Sequence, residues 1–129
     1  ALSLASGKTV KISFTPILAP MPRGILSTIT ARLSVNMDTE KVHALFSNFY
    51  KNDYFVDVLP IGQMPKTGSL TGSNKIQMQV AVDEHTHRLV ISVAIDNLGK
   101  GAASQAIQNA NLMCGFHEGA GLSTDGLGA

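Results

Sequence analysis

Two stretches of the chain alternate apolar and polar residues with the two-residue period of a half-buried β-strand, at 9–14 and at 76–83. A third stretch, 89–95, is apolar at nearly every position, which is typical of a strand buried on both faces. Residues 84–87 separate the second and third stretches and are polar. The pattern therefore predicts a hairpin formed by 76–83 and 89–95.

Residues 25–33 form a long run rich in β-branched and other apolar side chains, and both of its faces carry apolar groups. We interpret it either as a central strand covered on both sides or as a strand at a subunit interface. A shorter strand is predicted from Tyr54 to Leu59, where Pro60 ends it because proline removes a backbone donor.

One amphipathic helix is predicted to begin after Asp38, a good N-cap, with Glu40 in its first turn. Met37 can pack on Val42 as a hydrophobic staple. Apolar residues then recur at helical spacing and form a stripe that we assign to the core: Val42, Leu45, Phe46, Phe49 and Tyr50. His43 lies off this stripe and is expected to be solvated.

A second helix is predicted over 102–114, closed by Gly115 at the position after its C-cap. It has no charged side chain, whereas an exposed helix normally has a charged face. We therefore interpret 102–114 as a buried packing helix. Its N-terminus, with Lys100 and two glycines nearby, also suits an anion or the polar edge of a cofactor.

The segment FTPILAPMPRG, residues 14–24, is stiff and apolar, with three prolines and a single charged residue, Arg23. Proline rigidity before Arg23 and Gly24 after it would hold one guanidinium in a defined place. Arginine is the preferred side chain for gripping a carboxylate or phosphate with two parallel hydrogen bonds. The segment thus favours an anion site, while pairing with a nearby acid or capping of a strand remains the alternative.

Three further segments have little regular pattern. The connection 61–75 is polar and glycine-rich, and long connections of this kind are either functional or solvated crossovers. The tail, 116–129, is expected to be extended. Residues 1–7 lack an initiator Met and read as the last turn of a helix stopped by Gly7, so we expect the chain to be cut from something longer.

Composition narrows the classes of partner. At 129 residues the chain is one domain, with a net charge of +1 and no basic block, which argues against nucleic acid. No apolar run approaches the ~20 residues of a membrane-spanning helix. The charged fraction, 15%, is below the ~25% typical of globular domains. This shortage predicts that another chain or domain covers part of the surface.

Cysteine and histidine offer no obvious chemical centre. The single cysteine, Cys114, cannot form an internal disulfide and reads as a small buried hydrophobe. The four histidines and this cysteine lack the spacing of a zinc site, so no metal is predicted. The absence of paired cysteines fits a reducing compartment, and we expect a cytoplasmic protein.

Three separated motifs, in this order, resemble one family: FTPILAPMPRG at 14–24, VLP at 58–60 with GSLTGSN at 68–74, and AIDNLGKGA at 94–102. They are similar to the carboxy-terminal half of the N-acetyl-γ-glutamyl-phosphate reductase family, the arginine-biosynthesis member of the semialdehyde dehydrogenase group. The resemblance implies an α+β domain with a mixed, largely antiparallel sheet and helices packed on it. Residues 1–129 would form the substrate-binding and dimerisation domain.

The resemblance also implies partners and roles. An amino-terminal Rossmann domain would bind NADP and would lie outside this chain, apart from the 101–114 helix that would pack on it. Arg23 would bind the anionic end of the acyl-phosphate substrate, while Asn97 and Gly101 would lie near the nicotinamide. The assembly would be a homodimer or homotetramer.

The chain departs from the family pattern in lacking the glycine-rich dinucleotide motif, the nucleophilic cysteine segment and the histidine motif, which lie upstream in the family. We therefore expect no catalytic residue in this chain and no turnover by the chain alone. The alternative is a stand-alone, non-catalytic binding or assembly domain on the same scaffold.

Overall fold

The computed structural model describes residues 2–127. A four-stranded sheet, three α-helices and two short helical turns account for its regular structure. In chain order these are α1 (Leu2–Ser6), β1 (Ile25–Arg32), α2 (Thr39–Tyr50), β2 (Val56–Val58), a 3-10 turn (Gly68–Leu70), β3 (Ile76–Asp83), β4 (Arg88–Ile95), a π-helical turn (Gly99–Ala103) and α3 (Ser104–Met113).

The sheet has the strand order β1-β4-β3-β2. β4 is antiparallel to both β1 and β3, and only the short β2 runs parallel to its neighbour, β3. The predicted fold class, a mixed and largely antiparallel sheet with helices, is confirmed. The predicted hairpin of β3 and β4 is also confirmed, and β4 is a central strand. β1 is not central: it is an edge strand with seven of its eight residues exposed.

The core lies between α2 and one face of β3 and β4. Val42 of α2 packs with Met78 and Val80 of β3, and Met37 packs against this cluster as expected of a staple. Asp38 caps α2 by accepting a hydrogen bond from the Lys41 backbone N–H at 2.8 Å. These contacts confirm the predicted helix, with Val42, Phe46 and Tyr50 of its apolar stripe in or against the core. The assignment of Leu45 and Phe49 to the core is wrong, because both side chains are exposed in the described part of the chain.

His43 is not simply solvated, as its place off the stripe had suggested. Its ring is half-buried, and Nε2 donates to the Leu59 carbonyl oxygen at 2.8 Å. The interaction ties α2 to the end of β2. A position beside an apolar stripe can still face a neighbouring loop, which the helical pattern does not reveal.

The opposite face of β1 and β4 carries side chains that alternate with those of the core face. We call it the open face: Leu26, Thr28, Thr30, Val90 and Ser92. Its β1 members are exposed and its β4 members are half-buried. No helix of the described residues makes more than marginal contact with β1, so the interpretation of 25–33 as a strand at a subunit interface stays a prediction.

Residues 9–14 do not form the strand that their alternation predicted. They belong to an extended arm, residues 8–22, which pairs with no strand of the described chain. Ile17 and Leu18 of this arm have 84% and 102% of their surface exposed. Alternation marks two faces, but a strand also needs a neighbouring backbone to complete its hydrogen bonds, and the arm has none here.

α3 begins at Ser104, later than the predicted 102, because the π-helical turn occupies Gly99–Ala103. It ends before Gly115, which has a φ of +74° as predicted for this position. The expectation of a buried packing helix is wrong for this chain: the buried residues of α3 are the polar Gln108 and Asn111. Its larger apolar side chains point away from the domain and are exposed: Ile107, Leu112 and Met113.

Cys114 follows α3 and is exposed, which corrects its interpretation as a buried hydrophobe. The sequence pattern placed it in an apolar helix and suggested burial. The exposed side of α3 is the apolar one, however, and Cys114 lies at the end of that helix. Burial of an apolar helix face requires a neighbouring element, and the described part of the chain does not supply one.

The tail is folded back rather than extended. Within 116–127, a turn spans 118–121, the Leu127 N–H donates to Thr71 O at 2.7 Å, and Ser123 O accepts from Asn74 N–H at 2.8 Å. The end of the tail, residues 128–129, lies outside the described residues. The 61–75 connection is likewise anchored: Leu70, Ser73 and Asn74 are buried. No helix within 2–127 is long and apolar enough to cross a membrane.

Candidate functional site at the end of β1 and β4

The register of β1 and β4 brings two distant sequence segments together. Ile25, the first residue of β1, is paired with Ile95, the last residue of β4. Residues 23–24 therefore lie beside residues 96–97, although 73 positions separate them in the chain. Two of the motifs that were separate in the sequence form one structural unit here.

Arg23 and Asp96 form a bidentate ion pair at this junction. Arg23 Nε donates to Asp96 Oδ1 at 3.1 Å, and Arg23 Nη2 donates to Asp96 Oδ2. Asp96 is fully buried, whereas the Arg23 side chain keeps 36% of its surface exposed. The pairing of Arg23 with an acid, one of the two alternatives from the sequence, is therefore observed.

The Asp96 carboxylate is enclosed by backbone donors as well. The N–H of Gly72 donates to Oδ2 at 2.6 Å and that of Leu98 donates to Oδ1 at 3.0 Å. Burial raises the pKa of Asp96, but hydrogen bonds from Arg23, Gly72 and Leu98 outweigh it and lower the pKa to about 2. The group is therefore a permanent anion at neutral pH.

Asn97 holds the residue next to Arg23. Its Oδ1 accepts from the Gly24 backbone N–H at 2.7 Å. Gly24 has a φ of +98°, and a Cβ there would lie 2.5 Å from Thr67 Cβ. A side chain at position 24 is therefore excluded both by backbone conformation and by the close approach of the 61–75 connection.

Gly101 lies in the π-helical turn directly beyond this junction. Its N–H donates to Asp96 O at 2.9 Å, and a Cβ at Gly101 would lie 3.2 Å from the same oxygen. The structure thus brings together all three residues that sequence reasoning singled out, namely Arg23, Asn97 and Gly101. Asp96 is the group that links them.

A second polar network lies beside the junction, under the start of α3. Gln108 Oε1 accepts from Asn74 Nδ2 at 3.0 Å and from Lys100 Nζ, while Gln108 Nε2 donates to Glu118 Oε2 at 2.7 Å. Burial lowers the pKa of Lys100, and Glu118 opposes that effect. Asn74 Oδ1 is buried without a hydrogen-bond partner among the described residues.

Two clefts lie away from this site, near the opposite ends of β1 and β4. One, of about 430 Å³, is lined in part by Asp38, Lys41 and His87. It is open and shallow, and it contacts neither Arg23 nor Asp96. Across residues 2–127, no group of three His, Cys, Asp or Glu side chains is placed to hold a metal ion.

The junction offers a partly exposed guanidinium that is paired with the buried Asp96 carboxylate, next to the side-chain amide of Asn97. The backbone N–H groups of Gly24, Gly72 and Leu98 are already used by the Asp96 and Asn97 side chains. The junction contains neither a thiol nor an imidazole, which are the usual nucleophile and proton carrier of acyl-transfer chemistry. Binding and orientation are what this arrangement can supply.

Comparison with known proteins is consistent with this geometry. A family model described as semialdehyde dehydrogenase, dimerisation domain, matches residues 1–97. The chain belongs to this family. The junction of β1 and β4 lies at the end of the matched region, because Asp96 and Asn97 are the last two residues of that region.

Several curated relatives of the domain carry the same name. The domain is 49% identical, over 98% of its length, to the N-acetyl-gamma-glutamyl-phosphate reductase of Acidothermus cellulolyticus, and 49% identical over 97% to the protein of that name from Streptomyces clavuligerus. In both cases the chain spans only 37% of the relative. The resemblance found in the sequence motifs is therefore confirmed.

Among solved structures, the domain is similar to aspartate semialdehyde dehydrogenase II from Vibrio cholerae, with a TM-score of 0.58 and 21% identity. The match covers 71% of this chain and 27% of that one. The same protein in complex with ASA gives the same values. At this identity the likeness concerns the fold, and it supports the predicted architecture.

Sequence reasoning missed the role of Asp96. The signal was available, because Asp96 is the only charged residue between Arg88 and Lys100 and directly follows an apolar strand. An acid in such a place is buried unless the strand ends at the surface, and a buried acid needs a partner. Glu118 was also missed, since nothing local distinguishes it in the glycine-rich tail.

Proposed function

We propose that the domain is the substrate-binding and dimerisation part of an N-acetyl-γ-glutamyl-phosphate reductase. The supporting observation is the fixed, partly exposed Arg23 guanidinium at the junction of motifs that lie in a chain 49% identical to reductases of that name. The whole protein would use NADPH to reduce the acyl phosphate of N-acetyl-glutamate to the 5-semialdehyde, with release of phosphate, in arginine biosynthesis.

The domain would contribute binding rather than bond breaking. In the proposed enzyme, a cysteine thiolate outside this chain displaces phosphate to give a thioester, hydride reduces that thioester, and a histidine outside this chain acts as acid and base. Arg23 would hold the anionic end of the substrate through its N–H groups that Asp96 does not use. The chain alone is predicted to be inactive.

The cofactor would be NADP, bound mainly by an amino-terminal Rossmann domain and supplying hydride. The residues present fit its polar edge. Asn97 uses Oδ1 for Gly24, so its amide N–H groups can donate to a carboxamide. The missing side chain of Gly101 lets the π-helical turn pack against Asp96 O, which keeps the turn close to Asn97. Asn97 and Gly101 would thus lie near the nicotinamide.

Two surfaces would be covered in the whole protein. The exposed apolar side of α3 fits the packing of this helix on the Rossmann domain. The open face fits contact with a second subunit in a homo-oligomer, since it has the mixed apolar and small polar side chains common at such interfaces. The family's description as a dimerisation domain supports the second assignment, because the match covers residues 1–97 and so includes β1 and β4.

A chimaeric enzyme tests the proposal. This chain would replace the matching 37% of the Acidothermus cellulolyticus reductase, to which it is 49% identical. We expect NADPH oxidation that depends on N-acetyl-γ-glutamyl phosphate, and no oxidation by the chain alone. A folded, oligomeric chimaera without turnover would favour the non-catalytic binding or assembly domain, and turnover by the chain alone would show that its nucleophile has been misplaced.

Arg23→Ala in the chimaera tests the binding role. Loss of a charge-assisted contact to the substrate should cost about 2–3 kcal/mol, or roughly 30- to 150-fold in kcat/KM. Arg32→Ala, at the exposed far end of the same strand, is the matched control and should leave kcat/KM unchanged. An unchanged kcat/KM for Arg23→Ala would reduce Arg23 to a structural residue.

A further inference from the structure

Arg23 is held at both its backbone and its side chain by two consecutive residues. Asp96 accepts two hydrogen bonds from the guanidinium, and Asn97 accepts one from the N–H of the next residue, Gly24. We propose that Asp96 is a positioning residue, whose carboxylate fixes Arg23 in the orientation that presents its remaining N–H groups to the substrate. This inference rests on the proposed function.

The carboxylate is suited to this task because it cannot move. It is fully buried, and both of its oxygens also accept backbone N–H groups, from Gly72 and Leu98. An exposed ion pair would exchange among several geometries and fix little. Here the position of the anion is fixed, and the guanidinium pairs with both of its oxygens through the Nε/Nη2 edge.

The donors left on Arg23 point away from Asp96. A guanidinium has five N–H groups in a planar fork. The pair uses Nε and one N–H of Nη2, which leaves three, two of them on Nη1 at the outer edge of the fork. Nη1 makes no hydrogen bond with the described residues, and the side chain is 36% exposed. The Nη1 side of the guanidinium can therefore bind a carboxylate that approaches from solvent.

The 61–75 connection helps to hold both Asp96 and the Arg23 segment in place. Its Gly72 N–H contacts the carboxylate, and its Thr67 lies against Gly24. The connection thus encloses Asp96 from one side and limits the backbone of the Arg23 segment from another. A solvated crossover between strands would neither enclose Asp96 nor restrict the backbone of the Arg23 segment.

The first experiment compares Asp96→Asn with Asp38→Asn in the chimaeric enzyme. Asp96→Asn keeps shape but removes the charge that orients Arg23, so the KM for the acyl phosphate should rise about tenfold or more with a smaller change in kcat. Asp38→Asn alters the cap of α2, which is outside the site, and should leave KM unchanged. Thermal unfolding and oligomeric state are measured for both variants.

Rescue by free guanidinium supplies a readout that a purely structural role of Asp96 would not move. In Arg23→Ala, millimolar guanidinium should occupy the vacated position against Asp96 and restore kcat/KM at least about fivefold. The double variant Arg23→Ala/Asp96→Asn should show no rescue. Methylammonium, which carries the same charge but lacks the planar fork of donors, is the control ion.

Arg23→Lys keeps the inference testable even where Asp96→Asn does not fold. Lysine preserves the charge but lacks the planar fork of donors, so it cannot both pair with Asp96 and present a defined outer edge, and kcat/KM should fall by at least about tenfold. Full activity of Arg23→Lys, or equal guanidinium rescue with and without the Asp96 carboxylate, overturns the positioning role. If Arg23→Ala itself leaves kcat/KM unchanged, the substrate-binding proposal fails instead.

Discussion

A buried carboxylate is costly unless its charge is matched, and Asp96 meets that condition with four donors. Two come from Arg23 and two from backbone N–H groups of Gly72 and Leu98. Because these donors favour the ionised form more than burial disfavours it, the pKa of Asp96 falls to about 2. The stability of the domain should therefore depend on pH through this residue.

The sign of that dependence follows from the two pKa values. The carboxyl has a pKa of 3.8 when unperturbed and about 2 when folded, so its contribution is fully present well above pH 4 and is lost as the pH falls toward 2. The contribution is on the order of 2 kcal/mol. Urea unfolding of the chain at pH 5 and at pH 2.5 should show this loss.

Asp96→Asn is the reference for that measurement. Asp38 and Asp83 also have lowered pKa values, because of hydrogen bonds from Lys41 and Thr86 respectively, and they contribute to acid unfolding in both proteins. The difference between the native chain and the variant isolates Asp96. If the free energy of unfolding depended equally on pH in the native chain and in Asp96→Asn, the contribution assigned to Asp96 would be contradicted.

At the same scale, the sequence predicted Arg23 but not its partner. The proline segment, the lone charge and the following glycine are local signals, and they indicated a guanidinium held in place. The identity of the acid depends on which residues of β1 and β4 are paired, and no local pattern fixes that register. Long-range pairing is therefore what sequence reasoning could not supply.

Among the elements, α2 is the one whose sequence and structure agree best. Its N-cap and staple are local features that were predicted and are found, whereas Leu45 and Phe49 of its apolar stripe are exposed and His43 contacts a loop. α3 agrees in its terminal glycine, but it begins two residues later and ends one residue earlier than predicted, and its apolar side is exposed. Its polar Gln108 and Asn111 face the tail, where Asn111 Nδ2 donates to the carbonyl oxygens of Glu118 and Ala120.

The cap of α2 gives a prediction at this scale. Asp38→Ala removes the acceptor for the Lys41 N–H and a favourable charge at the helix N-terminus, so the free energy of unfolding should fall by about 1 kcal/mol. Thermal or urea unfolding of the chain measures it. Lys51→Ala, just past the exposed end of the same helix, is the control, and a loss as large in that variant would argue against the cap.

The misassigned elements share a cause. The arm at 8–22 has the alternation of a strand, and β1 has the two-sided apolar pattern of a central strand, but neither has a neighbour on both sides within the chain. Periodicity reports which side chains are apolar, not what covers them. If other chains or domains cover these surfaces, as proposed above, the sequence would indicate more burial than the structure of the domain shows.

For the whole molecule, the open face yields a test of assembly. Ser92 lies opposite Thr28 at the middle of that face, so Ser92→Arg would place an unpaired charge in the proposed subunit contact. We expect the dimer dissociation constant of the chimaeric enzyme to rise by at least about 100-fold. Sedimentation velocity over a range of concentrations measures it.

Glu84→Arg is the matched control, because it adds the same side chain at the exposed β3–β4 turn, away from the open face. It should leave the dimer intact. If Ser92→Arg is folded and still dimeric at low concentration, the subunits meet through another surface. Loss of the dimer in both variants would point to a general effect of added positive charge.

The extended arm has one practical consequence. A backbone that is unpaired, with Ile17 and Leu18 almost fully accessible, is a good substrate for a protease that prefers large apolar residues. Cleavage there would sever α1 from the rest while leaving the sheet uncut. The cleavage rate can be compared for this chain alone, for a form that includes the proposed amino-terminal domain, and for the proposed dimer. A slower rate in one of these forms would indicate the stage of assembly at which the arm becomes protected.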